Sequence, residues 1–175
     1  MSQVVQLGDP LLRQSTQLIN DPLSPKTKAM IDQMVMTLKK EKGIGIAGPQ
    51  VGFDQQIFIV APNQVIKAPY TKLETGLVVM NPKISFLTDD ITYEWEGCLS
   101  IPGIRGYVPR KCNIMIEYMD AAGQDRSEVY SEFIARIFLH EYDHLIGTLF
   151  IDLVDDLKTQ LITDAYYMQL MEDEE

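Results

Sequence analysis

Apolar residues recur at helical spacing soon after the start of the chain. Ser24 followed by Pro25 is a typical helix start, because the serine side chain caps the first turn and the proline ring presets φ. Gly43 is placed to end the helix. Between these points the apolar residues lie three or four positions apart, at Met30, Ile31, Met34, Val35 and Leu38. This pattern predicts an amphipathic N-terminal helix.

A second helical pattern covers Ser131 to Gly147, which reads SEFIARIFLHEYDHLIG. Ser131 is placed as the N-cap, and Gly147 follows the last helical turn. Apolar side chains cover most of the circumference of this segment, which is typical of a buried helix. We therefore predict a buried central helix here.

Short apolar or alternating runs between the two helices predict strands. No segment of helix length separates them, which favours antiparallel pairing and an α+β fold over a wound parallel sheet. We predict a surface loop from Pro62 to Gly76, an edge strand from Leu149 to Ile151, and a C-terminal helix from Asp155 to Met171. The predicted strands are Ile57 to Val60, Leu77 to Met80, Ile84 to Leu87, Ile91 to Trp95, Ile114 to Tyr118 and, after a turn, Arg126 to Tyr130.

Composition narrows the class of protein. The 175 residues, 46% of them hydrophobic, are enough for one domain, residues 1–175, with a core of normal size. A net charge of −10 repels phosphate backbones and argues against a nucleic-acid surface. No apolar run is long enough to span a membrane, and the first residues do not resemble a signal peptide, so we expect a cytoplasmic protein. Two cysteines cannot form a disulfide framework.

The predicted central helix contains both histidines of the sequence, His140 and His144. Four residues apart on a helix, two imidazoles lie on one face and can bind one metal ion. Glu141 lies beside them at an angle that suits a general base for a water molecule, as in the H-E-x-x-H pattern, better than it suits a ligand. The alternative is an ordinary pair of core or surface histidines.

A metal held by two histidines needs another ligand. Cys98 in the segment EGCLS is the best candidate, whereas Cys112 has no such setting and is predicted to be core filler. A zinc endopeptidase would instead take its third ligand downstream, where the chain offers only the carboxylates Asp152, Asp155 and Asp156.

The segment GIGIAGPQVG, from Gly43 to Gly52, is the most glycine-dense in the chain. It lacks the Gly-Lys-Ser/Thr ending of a phosphate loop and the spacing of a dinucleotide-binding loop. Considered alone, it is best interpreted as a plain turn between helix and strand. It also contains Gln50, whose side-chain amide can donate or accept hydrogen bonds.

Together, GIGIAGPQ, EGCLS and HEYDH resemble the three motifs of the peptide deformylases, in the order of that family. The resemblance extends from the helix before Gly43 to Ile151. It implies a metal-dependent hydrolase that removes the N-formyl group from formyl-methionyl peptides of newly made proteins and releases formate. It also implies that the metal ligands are Cys98, His140 and His144, and that Glu141 is the catalytic base.

The resemblance implies further roles in binding the substrate. Gln50 and the backbone N–H of Leu99 would bind the carbonyl oxygen. The residues expected to contact the rest of the peptide are Gly45 at its backbone, Ile44 and Ile137 at the methionine side chain, and Arg105 further along.

The resemblance also implies a metal cofactor, binding partners and a cellular location. One divalent ion is expected per chain, Fe²⁺ in the cell and Zn²⁺, Ni²⁺ or Co²⁺ after purification. The partners would be N-formylmethionyl nascent peptides, with transient proximity to the ribosome, in a bacterial-type cytoplasm. Gly48 departs from the family, which usually has alanine there, and we expect it to loosen the loop. A catalytically dead homologue or a metal-stabilised binding module is the remaining alternative, but neither would need Glu141 and Gln50.

Overall fold

The computed structural model describes residues 3–61 and 76–173. Its helices are Pro25–Glu41 (α1), Glu132–Leu145 (α2) and Asp164–Asp173 (α3), and 3-10 turns occupy Pro10–Arg13, Gly48–Val51 and Phe150–Leu153. Its strands are Gly45–Ala47 (β1), Ile57–Val60 (β2), Leu77–Phe86 (β3), Ile91–Cys98 (β4), Ile101–Lys111 (β5), Asn113–Met119 (β6), Asp125–Ser131 (β7) and Leu161–Thr163 (β8). They form two antiparallel sheets, in the orders β1-β2-β3-β6-β7 and β4-β5-β8. The predicted α+β fold is confirmed.

The larger sheet lies between α1 and α2. On one face the ring of Phe58 meets Phe138 of α2 edge-on, with 5.6 Å between the ring centroids. On the other face Ile57 and Ile59 pack in a cluster with Met34 of α1. Because both faces of β2 are buried, its sequence is a continuous apolar run without alternation.

Helix α1 begins as predicted and ends one residue early. The Ser24 hydroxyl accepts a hydrogen bond from the Thr27 N–H at 3.1 Å, and Pro25 is the first helical residue. Lys42, with φ of 55°, takes the left-handed position that we predicted for Gly43. Its N–H bonds the Leu38 carbonyl and so completes the end of the helix.

Strand β3 replaces the two strands predicted at its ends. The register shifts between Met80 and Lys83, where Asn81 has a φ of 51°. The Asn81 side chain accepts a hydrogen bond from the Ile19 N–H at 2.8 Å and donates one to the Ile19 carbonyl at 2.9 Å. A bulge held by a distant segment cannot be read from local sequence, so the single strand was missed.

Strand β5 was not predicted because its sequence, IPGIRGYVPRK, contains two prolines and two glycines, which are depleted in strands. It nevertheless pairs with β4 on one side and β8 on the other. A Cβ at Gly106 would lie 2.9 Å from the Phe150 ring, so a glycine is needed where this strand meets the 3-10 turn.

The C-terminal predictions were wrong in two places. The edge strand predicted from Leu149 to Ile151 is largely a 3-10 turn, and β8, further along the chain, forms an edge strand of the smaller sheet. The helix predicted to start at Asp155 starts at Asp164, and Leu157 and Met168, predicted to face inward, are exposed. The predicted loop from Pro62 to Gly76 lies outside the described residues except for Gly76. Among the described residues, no helix has the length and apolar character needed to cross a membrane.

Candidate active site

A cavity of about 580 Å³ opens between α2, β1 and the turn that joins β4 to β5. Most of the site residues predicted from the sequence line it, namely Ile44, Gly45, Gln50, Cys98, Leu99, Arg105, Ile137, His140 and Glu141. His144 is buried next to them, with its Nε2 atom 3.3 Å from the Cys98 Sγ atom. The fold therefore brings all the predicted site residues into one place.

Cys98, His140 and His144 each contribute one ligand atom to a compact group. The three atoms all lie within 4.8 Å of one another. Ligands around a tetrahedral ion, at bond lengths of about 2.0–2.3 Å, are roughly 3.3–3.8 Å apart. The group therefore has the size needed to hold one metal ion. A thiolate with two imidazoles suits Zn²⁺ or Fe²⁺ better than Mg²⁺ or Ca²⁺.

One polar atom beside this group supports the same interpretation. Oε2 of Glu141 is buried and has no hydrogen-bond partner among the described residues. Buried polar atoms are nearly always paired, so an unpaired carboxylate oxygen next to metal-ligating side chains fits a site that receives an ion, a water molecule or a substrate. The residues therefore fit a divalent metal.

Burial shifts the protonation of both histidines. It lowers the pKa of His144 well below its usual value, which favours the neutral imidazole that a metal ion requires. Burial acts in the same direction on His140, but the contacts of its ring with Cys98 and Glu96 outweigh it and raise the pKa of His140. A bound cation would oppose protonation of both rings.

Glu141 reaches the cavity from α2 beneath the strand β1. The carboxylate lies so close to Gly45 that a side chain at position 45 would collide with it. Burial raises the pKa of Glu141 to about 7, and a nearby cation would lower it again. Burial thus favours the protonated carboxyl group and a bound cation favours the carboxylate, so the two effects oppose each other at Glu141.

The Gln50 side chain is held in one orientation. Its Oε1 atom accepts a hydrogen bond from the Ala47 N–H at 2.8 Å, which turns the amide NH₂ toward the cavity. Nε2 then lies 3.3 Å from Cys98 Sγ and 3.2 Å from Ser100 Oγ. The segment from Gly43 to Gly52, interpreted alone as a plain turn, contains β1 and a 3-10 turn that together place this donor.

The expectation that Gly48 loosens this segment is wrong. A Cβ at position 48 would lie 2.9 Å from the Gln55 carbonyl oxygen and 3.2 Å from both Phe53 O and a methyl group of Ile57. Neighbouring backbone already fills the space that an alanine methyl would need. The missing methyl group therefore leaves no slack in the loop.

A buried ionic network behind His140 was missed from the sequence. Glu96 accepts hydrogen bonds from Arg110 at 2.8 and 2.9 Å and from Arg136 at 2.7 Å, and its Oε2 atom lies 2.9 Å from His140 Nδ1. Burial alone would raise the pKa of Glu96, but Arg110 and His140 hold it far below its usual value. One signal was available, since Arg136 is the charged residue within the apolar run from Phe133 to Leu139.

The N-terminal segment also supports the site and was not predicted. The Val5 N–H donates to the Gln50 carbonyl at 2.9 Å, and Gln6 Nε2 donates to the Leu99 carbonyl at 3.2 Å. The Leu7 N–H donates to the Ser100 carbonyl at 2.9 Å. This segment thus joins the two loops that contain Gln50 and Leu99. No residue pattern in it signals such a role.

The three carboxylates that could have been the third ligand of a zinc endopeptidase make other contacts. Asp152 pairs with Arg13, and Asp155 accepts a hydrogen bond from the Tyr93 hydroxyl at 2.7 Å. Asp156 accepts one from the Lys158 N–H at 2.9 Å. None of the three belongs to the ligand group found among the described residues.

Comparison with known proteins identifies the family. The model of the polypeptide deformylase family matches residues 1–160. The chain belongs to this family. It is 40% identical to peptide deformylase 2 of Nostoc sp. over 168 residues, 96% of this chain and 93% of that protein. It is 34% identical to peptide deformylase 1 of Nitrosomonas europaea over 164 residues, 94% of this chain and 93% of that protein.

Solved structures of deformylases have the same fold. The peptide deformylase of Thermotoga maritima matches with a TM-score of 0.79 at 30% identity, covering 89% of this chain and 99% of that one. The peptide deformylase of Synechococcus elongatus, in complex with actinonin, matches with a TM-score of 0.78 at 34% identity, covering 89% and 79% of the two chains.

Membership in this family establishes the activity. Peptide deformylases are metal-dependent hydrolases of protein biosynthesis that remove the N-formyl group from nascent peptides, and this chain is an enzyme of that kind. The resemblance inferred from the three motifs is confirmed. The group formed by Cys98, His140 and His144 is where the chain could hold its metal.

Proposed function

We propose that Cys98, His140 and His144 bind one divalent ion, with which this chain hydrolyses the formyl group of formyl-methionyl peptides. The observation that supports this assignment is the meeting of the three ligand atoms, from two separate elements, within 4.8 Å at the base of the cavity. Residues 1–175 act as one catalytic domain. This proposal is consistent with a cavity whose walls come from both sheets and from α2.

A divalent ion bound there would supply positive charge that acidifies a water molecule and polarises the formyl carbonyl. Glu141 takes the proton of the attacking water and then returns it to the leaving amine, consistent with its burial beside the ligand group and with its unpaired Oε2 atom. Nε2 of Gln50 and the backbone N–H of Leu99 donate hydrogen bonds to the carbonyl oxygen as negative charge develops on it. Such donors contribute about 3 kcal/mol each in other enzymes.

The rest of the cavity holds the peptide. Ile44 and Ile137 line it with apolar surface that suits a methionine side chain. Gly45 allows the peptide backbone to approach Glu141 closely, because any side chain there would occupy the place of the carboxylate. Arg105 lies at the outer part of the cavity wall and contacts the residues that follow the methionine.

The metal in the cell is Fe²⁺, and the purified protein takes up Zn²⁺, Ni²⁺ or Co²⁺. The ligand set accepts each of these ions, and the general order of affinities favours zinc over ferrous iron when both are available. The enzyme acts in the cytoplasm, in transient proximity to the ribosome. With a net charge of −10 it does so without binding nucleic acid directly.

Formate release from a formyl-Met peptide, measured beside the metal content of anaerobically purified protein, tests this proposal. We expect about one divalent ion per chain, and loss of most of it in Cys98→Ser. Cys112→Ser is the matched control, because Cys112 is the other free cysteine and is buried away from the cavity. Full metal content in Cys98→Ser would remove the thiolate from the ligand set, and internal cleavage of the peptide would favour a peptidase.

A further inference from the structure

Helix α3 contributes two side chains, Asp164 and Tyr167, to the wall of the active-site cavity. Both follow residue 160, where the match to the family model ends. Both also contact Arg105, the residue proposed above to meet the peptide beyond its methionine. The C-terminal helix therefore completes the part of the cavity that receives the downstream peptide.

The Arg105 guanidinium group is fixed from three directions. Its Nε atom donates to Asp164 Oδ1 at 2.6 Å, and its Cζ atom lies 5.1 Å from the centre of the Tyr167 ring. On a further side it lies against the backbone of Gly97, where an added Cβ would come within 2.9 Å of the guanidinium carbon. Trp95 supports the arrangement, with its ring centroid 6.3 Å from that of Tyr167.

These contacts compensate the charge of Arg105 but leave some of its N–H donors free. Nε donates to Asp164, whereas the two Nη atoms have no hydrogen-bond partner in the described part of the chain. The Arg105 and Asp164 side chains remain 35% and 46% exposed, so a peptide in the cavity can reach them. A guanidinium in this state can donate to peptide carbonyl groups while the adjacent carboxylate cancels its net charge.

The other charges at the cavity are mostly compensated. Glu41 and Lys42 lie at the same opening, and the Glu41 carboxylate pairs with Lys40 at 3.0 Å. Glu96 and Arg136, which also line the cavity, are buried and paired with each other. A peptide that enters therefore meets one exposed lysine, Lys42, as the net charge of this opening outside the catalytic centre.

We infer that Asp164 and Tyr167 are positioning residues that hold Arg105 as a charge-neutral donor to the peptide main chain. The enzyme then accepts acidic, neutral and basic residues after the methionine about equally. This inference rests on the function proposed above. The substrates would be formyl-methionyl peptides whose residues after the methionine are not selected by charge. The C-terminal helix, through Asp164 and Tyr167, would be responsible for this lack of charge selection.

The test compares three amidated peptides, formyl-Met-Ala-Asp, formyl-Met-Ala-Gln and formyl-Met-Ala-Lys, on metal-loaded enzyme. For the original protein we expect kcat/KM values within about twofold of one another. In Asp164→Asn the uncompensated charge of Arg105 should raise the ratio of acidic to basic peptide roughly three- to fivefold, as expected for one solvent-exposed charge pair. The change should appear mainly in KM and diminish at high salt.

Two further variants show whether the effect passes through Arg105. In Arg105→Ala combined with Asp164→Asn, the added preference for the acidic peptide should disappear. Asp89→Asn makes the same substitution in another surface ion pair, that with Lys111, and should leave the ratio unchanged. An unchanged ratio in Asp164→Asn, or an equal change in the double variant, would overturn the inference.

Tyr167→Leu provides an independent measurement. Removal of the ring beneath the guanidinium should raise KM for all three peptides by roughly two- to fivefold, the size of an exposed cation–π contact, without changing their ratio. An unchanged KM would remove Tyr167 from the proposal. If the original protein releases no formate from any of the peptides, the proposed function fails and this inference with it. Activity with unaltered ratios and KM in the variants would refute the inference alone.

Discussion

The two walls of the cavity use the same arginine–carboxylate chemistry in opposite environments. The inner wall, formed by Cys98, Glu141 and the two histidines, is supported by Glu96 and its arginines, whose side chains are only 4–5% exposed. On the outer wall, formed by Trp95, Arg105, Asp164 and Tyr167, the paired side chains are 35% and 46% exposed.

Because the two sets of ion pairs differ in burial, the loss of one partner has a different cost in each. Loss of one partner in the inner wall leaves a charge that water cannot reach, which costs several kcal/mol. Loss of one partner in the outer wall leaves a charge that water and salt can screen. The inner network therefore fixes the orientation of His140, whereas the outer pair can adjust the charge that a substrate meets. The predictions below run from the largest expected effect to the smallest, and the variants of Glu96, Glu94 and Asp164 test this difference directly.

Glu96→Gln should have the largest effect on stability. It leaves Arg110 and Arg136 buried with their main acceptor neutralised, so we expect the free energy of unfolding to fall by about 3–5 kcal/mol. Metal affinity should also fall, by roughly 10- to 100-fold, because His140 loses the group that orients it. Urea denaturation and metal titration measure the two effects.

Glu94→Gln is the matched control for that variant. Glu94 lies on the same strand and pairs with the same Arg136, at 3.4 Å, but its side chain is 42% exposed. Its loss should cost less than about 1 kcal/mol. Equal losses in the two variants would show that burial is not what separates the inner pairs from exposed ones.

Glu141→Gln should lower kcat/KM about a hundredfold or more while the metal and the fold are retained, as expected for removal of a positioned base. Formate release and metal analysis provide the two readouts. Glu132→Gln makes the same change at the start of α2, outside the cavity, and should keep normal activity. Near-normal turnover in Glu141→Gln would exclude this residue as the base.

Gly48→Ala should destabilise the protein by about 1–3 kcal/mol, the usual cost of overpacking. The added methyl group would press on the Gln55 carbonyl, which is backbone and cannot rotate away. Gly43→Ala offers a contrast, since its nearest contact, at 2.9 Å, is a side-chain methyl of Leu99 that can move. Thermal unfolding of both variants measures the difference, and a greater loss in Gly43→Ala would contradict this packing argument.

Asp164→Asn should have the smallest effect on stability, less than about 1 kcal/mol, since the pair with Arg105 is exposed on both sides. The same urea denaturation as for Glu96→Gln gives a direct comparison. A fall in the free energy of unfolding as large as that in Glu96→Gln would mean that the outer pair stabilises the fold. That result would contradict its proposed role in setting the charge that the peptide meets.

The residues of the inner wall were largely predictable from the sequence, whereas the buried ionic network that supports them was not. The proposed ligands His140 and His144 and the proposed base Glu141 lie in one short motif, because i, i+4 spacing on a helix places two histidines on one face. The role of Glu96 depends on two arginines, Arg110 and Arg136, that lie 14 and 40 residues away along the chain. Sequence separation of that kind gives no local pattern.

The outer wall depended almost wholly on tertiary structure. Arg105 was predicted only through the family resemblance, and its partners Asp164 and Tyr167 lie in a helix that begins at Asp164 and not at Asp155 as predicted. Residues 161–163 form a strand because β5 offers them an unpaired edge, although their apolar side chains also fit a helical pattern.

By itself, the sequence determined the helices α1 and α2, the strand β2, the α+β class and the pair of candidate metal ligands on α2. Helical periodicity, caps and ligand spacing are local properties, and they act in the chain before any distant contact forms. Only the tertiary structure decided that a strand with two prolines lies at the centre of the small sheet, and that charged side chains from distant segments share one buried site. Strand pairing and buried ion pairs are stable only when their partners meet, and residues far apart in sequence supply those partners.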